Sequence, residues 1–363
     1  MSANECFGLG ASAAILALLA FGLKVLPREN MQVLATIPTR RRADGRWQGV
    51  NLTWYGVMQA VAMVVAVTLA LALALAVQVP LAEMVLILLV LLAAALPSAR
   101  IVARVVEKRS GTFTVGGAIF VATMLLPPVA LAADACFGTD RALAILAALA
   151  VAYAVGEGIG RLACISFGCC YGRRLDSCPP WLRGIFDGRA VIVVGPTRKA
   201  AYAGHCEGVP LLPVPACSAC LLSSAGIVGV LLYLGGSLRA AALVSLGVAF
   251  LWRFASEFLR ADDRGTGSLT AYQCMALVCL GFVIPCILLL PGPGSAPEIH
   301  RAAWLASAPS AWLALFGLGA AVFAYLGVST VTASAIELTV CHQVGDGGPN
   351  RETQRRSDAV ALM

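Results

Sequence analysis

The feature that most constrains this chain is a run of about twenty apolar residues that keeps returning. Such runs fall near 9–25, 55–78, 81–97, 112–133, 142–160, 217–236, 240–259, 270–291 and 303–327. About 20 apolar residues in helical form span the hydrocarbon core of a bilayer. Backbone polar groups in lipid must pair within their own segment, so each run is predicted to be a helix. A strand barrel would need short segments that alternate apolar and polar residues, and these runs do not alternate. The expected fold class is therefore all-α, a polytopic membrane protein with about nine transmembrane helices. Pro97 is expected to end or kink the third helix, and Pro127-Pro128 to interrupt the fourth.

Composition removes the alternatives. Of 363 residues, 60% are hydrophobic and 12% are charged, against roughly 25% charged in soluble domains. That excludes an ordinary soluble enzyme, a disordered chain and a nucleic-acid-binding module. The net charge of +7 sits in loops between apolar runs and is no DNA footprint. The first run follows Met-Ser-Ala-Asn-Glu-Cys, without a positive flank or a clear cleavage site. It reads as a retained helix rather than a signal peptide.

With nine spans, the segments 24–53, 98–111, 161–216, 260–268 and the tail share one face. They carry 22 of the 26 Lys and Arg residues; Arg141, Arg239 and Arg301 lie on the other face, and Arg253 lies within a span. By the positive-inside rule the basic face is cytosolic and the N-terminus is outside. The division expected is an extra N-terminal helix and basic loop (1–50), a membrane core (51–291), an extra C-terminal helix (292–328) and a mobile polar tail (329–363). The core contains one polar stretch, 161–216. Loops of that length are usually functional or disordered, and its apolar content (Tyr171, Trp181, Phe186) predicts a small folded head.

Ionisable residues inside membrane helices are functional by default. Glu157 and Arg161 are four apart and share a helix face. Arg253, Glu257 and Arg260 fall on one face of the seventh span, with Asp262 and Asp263 just beyond. The functional reading is a polar pocket in which Arg161 and Arg253 grip a phosphate with their fork geometry, and Glu257 holds Arg253 or acts as a base. The structural reading is an ion pair between packed helices. Gly156, Gly158 and Gly160 read best as small-residue helix packing.

Seven of the 13 cysteines lie between Cys164 and Cys220. Cys217-Ser-Ala-Cys220 is a single C-x-x-C, and the adjacent Cys169-Cys170 pair does not complete a zinc pattern. The readings left open are metal, a reactive thiol beside Arg161 at Cys164, Cys169 or Cys170, and simple packing. No metal or cofactor is assigned. His205 is the one histidine placed to serve the basic face, and it reads as a solvated loop residue.

Four stretches resemble the prolipoprotein diacylglyceryl transferase family, in the family's order. They are Trp54-Tyr-Gly-Val-Met58, Gly111-Thr-Phe-Thr-Val-Gly-Gly117, the segment Gly160-Arg161 through Phe167-Gly-Cys-Cys-Tyr-Gly172, and Arg253-Phe-Ala-Ser-Glu-Phe-Leu-Arg260 followed by Asp262. The resemblance covers about 50–291 and implies a seven-helix core flanked by one extra helix at each end. It implies a bacterial inner-membrane enzyme that moves diacylglycerol from phosphatidylglycerol to the cysteine thiol of a lipoprotein precursor. The resemblance would make Arg161 and Arg253 phosphate-binding and Glu257 their polar partner; with the thiol of Cys169, read from the residues rather than from the family, they form the candidate catalytic set. Tyr55, Gly117, Cys164, Gly168, Cys170, Tyr171, Gly172, Arg260 and Asp262 would form the substrate-binding set.

The chain also departs from that pattern. Ala163-Cys-Ile-Ser-Phe-Gly-Cys169 replaces a Gly-Asn-Phe-x-Asn-x-Glu stretch, Val115 stands where the family has His, and Val214-Pro-Ala-Cys-Ser-Ala-Cys220 replaces a His-Pro-x-Gln-Leu-Tyr-Glu motif. The Gly-Cys-Cys-Tyr-Gly string points to a divergent branch. The family's site faces the periplasm, whereas the charge count places the basic face in the cytosol. The acceptor therefore stays open between a protein and a small molecule, thiol or hydroxyl. An inactive phospholipid-binding or scaffold protein is the second reading. A transporter is the third, and the clustering of charge near one face disfavours it.

Overall fold

The computed structural model describes residues 1–41, 43, 47–105, 115–261, 269–292, 296–329 and 335–336. Asp262, Asp263, the 111–114 stretch, His342 and nearly all of the tail fall outside them.

Among the described residues, nine helices are long and apolar enough to cross a membrane. They are α1 (Ala3–Val25), α2 (Trp54–Ala76), α3 (Leu81–Val105), α4 (Val115–Phe137) and α5 (Ala142–Phe167). After two short helices, α6 (Pro180–Phe186) and α7 (Lys199–Tyr202), come α8 (Val214–Leu234), α9 (Leu238–Glu257) and α10 (Ala271–Leu289). The single-turn α11 (Trp304–Ser307) leads into α12 (Pro309–Leu326). The chain is a polytopic, mainly helical membrane protein.

Local chemistry sets the helix ends. Ser2 and Glu5 form a capping box on α1, and Thr270 and Gln273 form another on α10. Thr53 caps α2. α5 stops at Gly168, whose φ of +72° is the left-handed cap that glycine adopts without strain. Three helices run further than expected. α3 continues past Pro97, α4 passes through Pro127-Pro128, and α5 passes Arg161 and Cys164 to Phe167. Neighbouring helices in a bundle can satisfy the carbonyls that prolines free. The folded head therefore starts at Gly168 rather than at 161.

α5 is the buried axis, with α2, α8 and α9 packed round it. The α5–α8 crossing depends on small residues. A Cβ on Gly158 would sit 2.7 Å from the backbone N of Ser223, and one on Gly226 would sit 3.0 Å from the backbone N of Val155. With no hydrophobic drive between helices in lipid, such close approach supplies the packing contact.

A sheet was not expected from the sequence. β1 (Val33–Arg41) and β2 (Trp47–Thr53) pair antiparallel, and β2 also pairs with β5 (Val328–Ser329) and β6 (Ala335–Ile336). Within the head, β3 (Val191–Ile192) pairs with β4 (Pro210–Leu211). Two small apolar clusters hold the head, one round Tyr171 and Leu211, the other round Leu182 and Leu212. Arg198, 1% exposed, joins it to the membrane helices. Its guanidinium donates to the carbonyls of Ile165, Leu26 and Arg28 at 3.3, 3.4 and 2.5 Å. The end of α1, the head, the sheet and the end of α12 thus share one face. On the opposite face Asn4 donates to the carbonyls of Leu234 and Pro297.

Candidate functional site

Helical spacing places Tyr153, Glu157 and Arg161 on one face of α5, and Ala249, Arg253, Ser256 and Glu257 on one side of α9. These two faces and the start of α8 line a small cavity. Val214, Pro215, Ser218 and Leu222 line the α8 side, and Cys170 and Arg260 close it from the head. The walls are fixed by polar contacts. Trp252 Nε1 donates to Ser218 Oγ at 2.8 Å, and Tyr153 stacks on Phe250 with centroids 6.2 Å apart.

The charges interlock across helices. Glu157 pairs with Arg161 one turn on, and Arg253 reaches the same carboxylate at 3.9 Å from α9. The Glu157 side chain is only 12% exposed. One buried carboxylate therefore stands between two guanidinium groups, which orients both. Arg253 also stands over the Tyr272 ring, 5.9 Å from its centroid, a cation–π geometry. Three arginines and two glutamates line the cavity, so guanidinium groups outnumber carboxylates there and can face an anion.

The expected pairing of Glu257 with Arg253 is corrected. α9 ends at Glu257, so Arg260 is not on its helical face. Glu257 lies 3.7 Å from Arg260 and accepts from Thr270 Oγ1 at 3.3 Å. Arg260 is placed by backbone pairing instead. It bridges Gly172, Arg173 N donates to Leu259 O at 2.9 Å, and Ala261 N donates to Tyr171 O at 3.1 Å. Gly172 is needed for this clip, because a Cβ there would lie 2.5 Å from the Leu212 carbonyl oxygen.

The remaining candidates separate. Tyr171 is buried in the head core and acts there as an anchor. Gly168 terminates α5. Gly117 packs α4 on α3, where a Cβ would meet Val102 at 2.5 Å. Tyr55, in the first turn of α2, lies edge-on to Phe167 with ring centroids 5.7 Å apart, near the thiols of Cys169, Cys164 and Cys170. It borders the cysteines rather than the cavity. Asp262 lies outside the described residues.

Cys164, Cys169 and Cys170 come together, their Sγ atoms all within 4.8 Å of one another. The Cys164 thiol lies 3.9 Å from Cys170 Sγ, and Arg161 Nη1 lies 3.9 Å from the same sulfur. The thiol beside the arginine is thus that of Cys170, not Cys169. Thiol contacts from Cys164 and Cys169 hold Cys170 well below the usual thiol range, with help from Arg260 and Arg161. Cys217 and Cys220 lie apart on α8, and Cys178 and Cys206 belong to the head cores.

Two participants were missed in the sequence. The sequence pairs Glu157 with Arg161 alone, because the contact with Arg253 links positions 157 and 253 on separate helices. Gly116, beside the chosen Gly117, makes room for the site. A Cβ there would lie 2.5 Å from Arg253 Nη2 and 2.5 Å from the Tyr272 ring.

No curated protein matches this chain. The family model for prolipoprotein diacylglyceryl transferase matches residues 46–290. That range holds α2 to α10, with the whole cavity and the three cysteines, and leaves α1 and α12 outside. On a match over well more than half its length, the chain belongs to the prolipoprotein diacylglyceryl transferase family.

Proposed function

We propose that the protein binds phosphatidylglycerol with its phosphate between Arg161 and Arg253, and transfers the diacylglyceryl group to a thiol or hydroxyl acceptor. The observation that carries this reading is the convergence of two guanidinium groups from different helices on one cavity, across Glu157. Membership of a lipid-processing family supports it.

In this reaction the acceptor's sulfur or oxygen, having lost its proton, attacks the glyceryl carbon that bears the phosphate ester. A carbon–sulfur or carbon–oxygen bond forms. The carbon–oxygen bond to phosphate breaks, and its electron pair leaves with glycerol phosphate. Charge grows on the phosphate oxygens as that bond breaks. Preorganised donors aimed at such charge, inside a site of low dielectric, are the largest usual source of catalysis. Arg161 and Arg253 supply them, and Glu157 keeps both in place at no cost during the reaction. Glu257 and Arg260 form the polar floor beside the head.

The test is turnover by the full chain in detergent, with phosphatidylglycerol labelled in its diacylglyceryl part and small thiol, peptide-thiol and hydroxyl acceptors offered. Arg161→Ala and Arg253→Ala are expected to abolish transfer at unchanged protein level. Full activity in both would overturn this assignment. The second reading, a phospholipid-binding protein without turnover, is favoured by Val115 and by the cysteine-rich stretch 163–170 standing where the family pattern carries polar groups. Bound phosphatidylglycerol with no transfer to any acceptor would select it.

A further inference from the structure

The three clustered cysteines have no part in gripping a phosphate, yet the backbone goes out of its way to gather them. Cys164 lies in the last turn of α5. Gly168 then takes φ +72° and Cys170 takes φ +57°. A non-glycine residue in this left-handed region is strained, and such strain collects at functional sites. The reversal folds Cys169 and Cys170 back beside Cys164, and Gly168 N closes it with a bond to Cys164 O at 2.8 Å.

We propose that Cys164, Cys169 and Cys170 bind a thiophilic divalent metal ion of the zinc class. Zinc–thiolate bonds of about 2.3 Å put the sulfurs of one centre about 3.8–4.0 Å apart. Cys164 and Cys170 already stand at 3.9 Å, with the third sulfur within 4.8 Å of both. A disulfide would use two of the three thiols, whereas a metal uses all of them. Charge agrees as well. Three thiolates round a divalent ion leave one net negative charge, and Arg161 Nη1 lies 3.9 Å from Cys170 Sγ to meet it.

Three protein ligands leave a fourth position, the pattern of zinc sites that engage a substrate. Cys170 is the member of the trio that lines the cavity. A thiol that coordinates such an ion loses its proton outright. The cavity's own carboxylates are committed to arginines, Glu157 to Arg161 and Arg253, Glu257 to Arg260. A metal there would supply the activation of a thiol acceptor without drawing on these carboxylates. This last consequence rests on the proposed function and narrows its acceptor to a thiol; the metal site itself does not depend on it.

The experiment is elemental analysis of the full-length protein, purified in detergent with a reductant. About one zinc per chain is expected. Cys164→Ser, Cys169→Ser and Cys170→Ser should each lower it at least tenfold, while Cys217→Ser and Cys220→Ser leave it unchanged. Should a serine variant fail to fold, the wild type carries the test alone. The chelated protein is titrated with Co²⁺, and maleimide labelling of each cysteine is mapped by mass spectrometry with and without the ion. A thiolate-to-cobalt absorption band and protection confined to the three cysteines support the site. No uptake of Zn²⁺ or Co²⁺, equal uptake in the triple-serine variant, or a disulfide among the three in the reduced preparation would overturn it. Metal content is read without turnover, so a zinc-loaded protein that transfers no lipid refutes the proposed function and leaves this site standing.

Discussion

Arg253 can be disturbed in two ways that share one target. Arg253→Ala removes the guanidinium. Gly116→Ala keeps it but puts a Cβ 2.5 Å from Nη2 and from the Tyr272 ring, so the group must move. A hydrogen bond to a charged group contributes about 1.5–3 kcal/mol. Arg161 stays on the far side of Glu157, so one such contribution is the expected loss for Arg253→Ala and the upper bound for Gly116→Ala. At about 1.4 kcal/mol per tenfold, that weakens phosphatidylglycerol binding by roughly 10- to 150-fold. Arg253→Lys retains the charge without the fork and should fall between wild type and alanine. Trp252 lines the cavity, so its fluorescence follows a titration of the lipid into the full chain in detergent, with native mass spectrometry as the independent count. If Arg253→Ala and Gly116→Ala bind as tightly as wild type, the phosphate does not sit at this guanidinium.

Two further results are expected. Gly158→Ala drives a Cβ to 2.7 Å from the Ser223 backbone N, which no rotamer change relieves, so thermal unfolding in detergent should show a loss of about 1–3 kcal/mol. Gly247→Ala, with nothing within 4 Å of its Cβ, should show no loss. In the metal-free protein, Cys170 should alkylate faster than Cys178 as pH rises. Its thiol is held below the usual range, so more of it is thiolate at a given pH, while burial pushes the Cys178 thiol up. Equal rates at the two cysteines would count against the thiol contacts described at Cys170.

The membrane architecture could be read from the sequence because it rests on a one-dimensional signal. Each span is a single apolar run, and lipid permits such a run one conformation. Arg161 and Arg253 stood out for the same reason, since charge in a bilayer is costly. What escaped depends on distant partners. α5 was expected to end near 160, where Glu157, Gly158 and Arg161 look like the edge of a loop, but Arg253 from α9 lets the charges remain in the helix. The β1–β2 hairpin lacks a clear alternation because most of β1 is exposed. The C-x4-C-C spacing of the trio matches no standard ligand pattern, and two left-handed residues, Gly168 and Cys170, bring its sulfurs together.

If the two arginines serve lipid transfer, both products of the reaction form together and can be followed in one assay. Full-length protein is mixed with labelled phosphatidylglycerol and a peptide thiol, and released glycerol phosphate is compared with diacylglyceryl thioether. Equal amounts of the two are expected, and neither from Arg161→Ala or Arg253→Ala. Phosphatidylglycerol bound at the cavity with neither product formed for any acceptor would contradict that role of the two arginines.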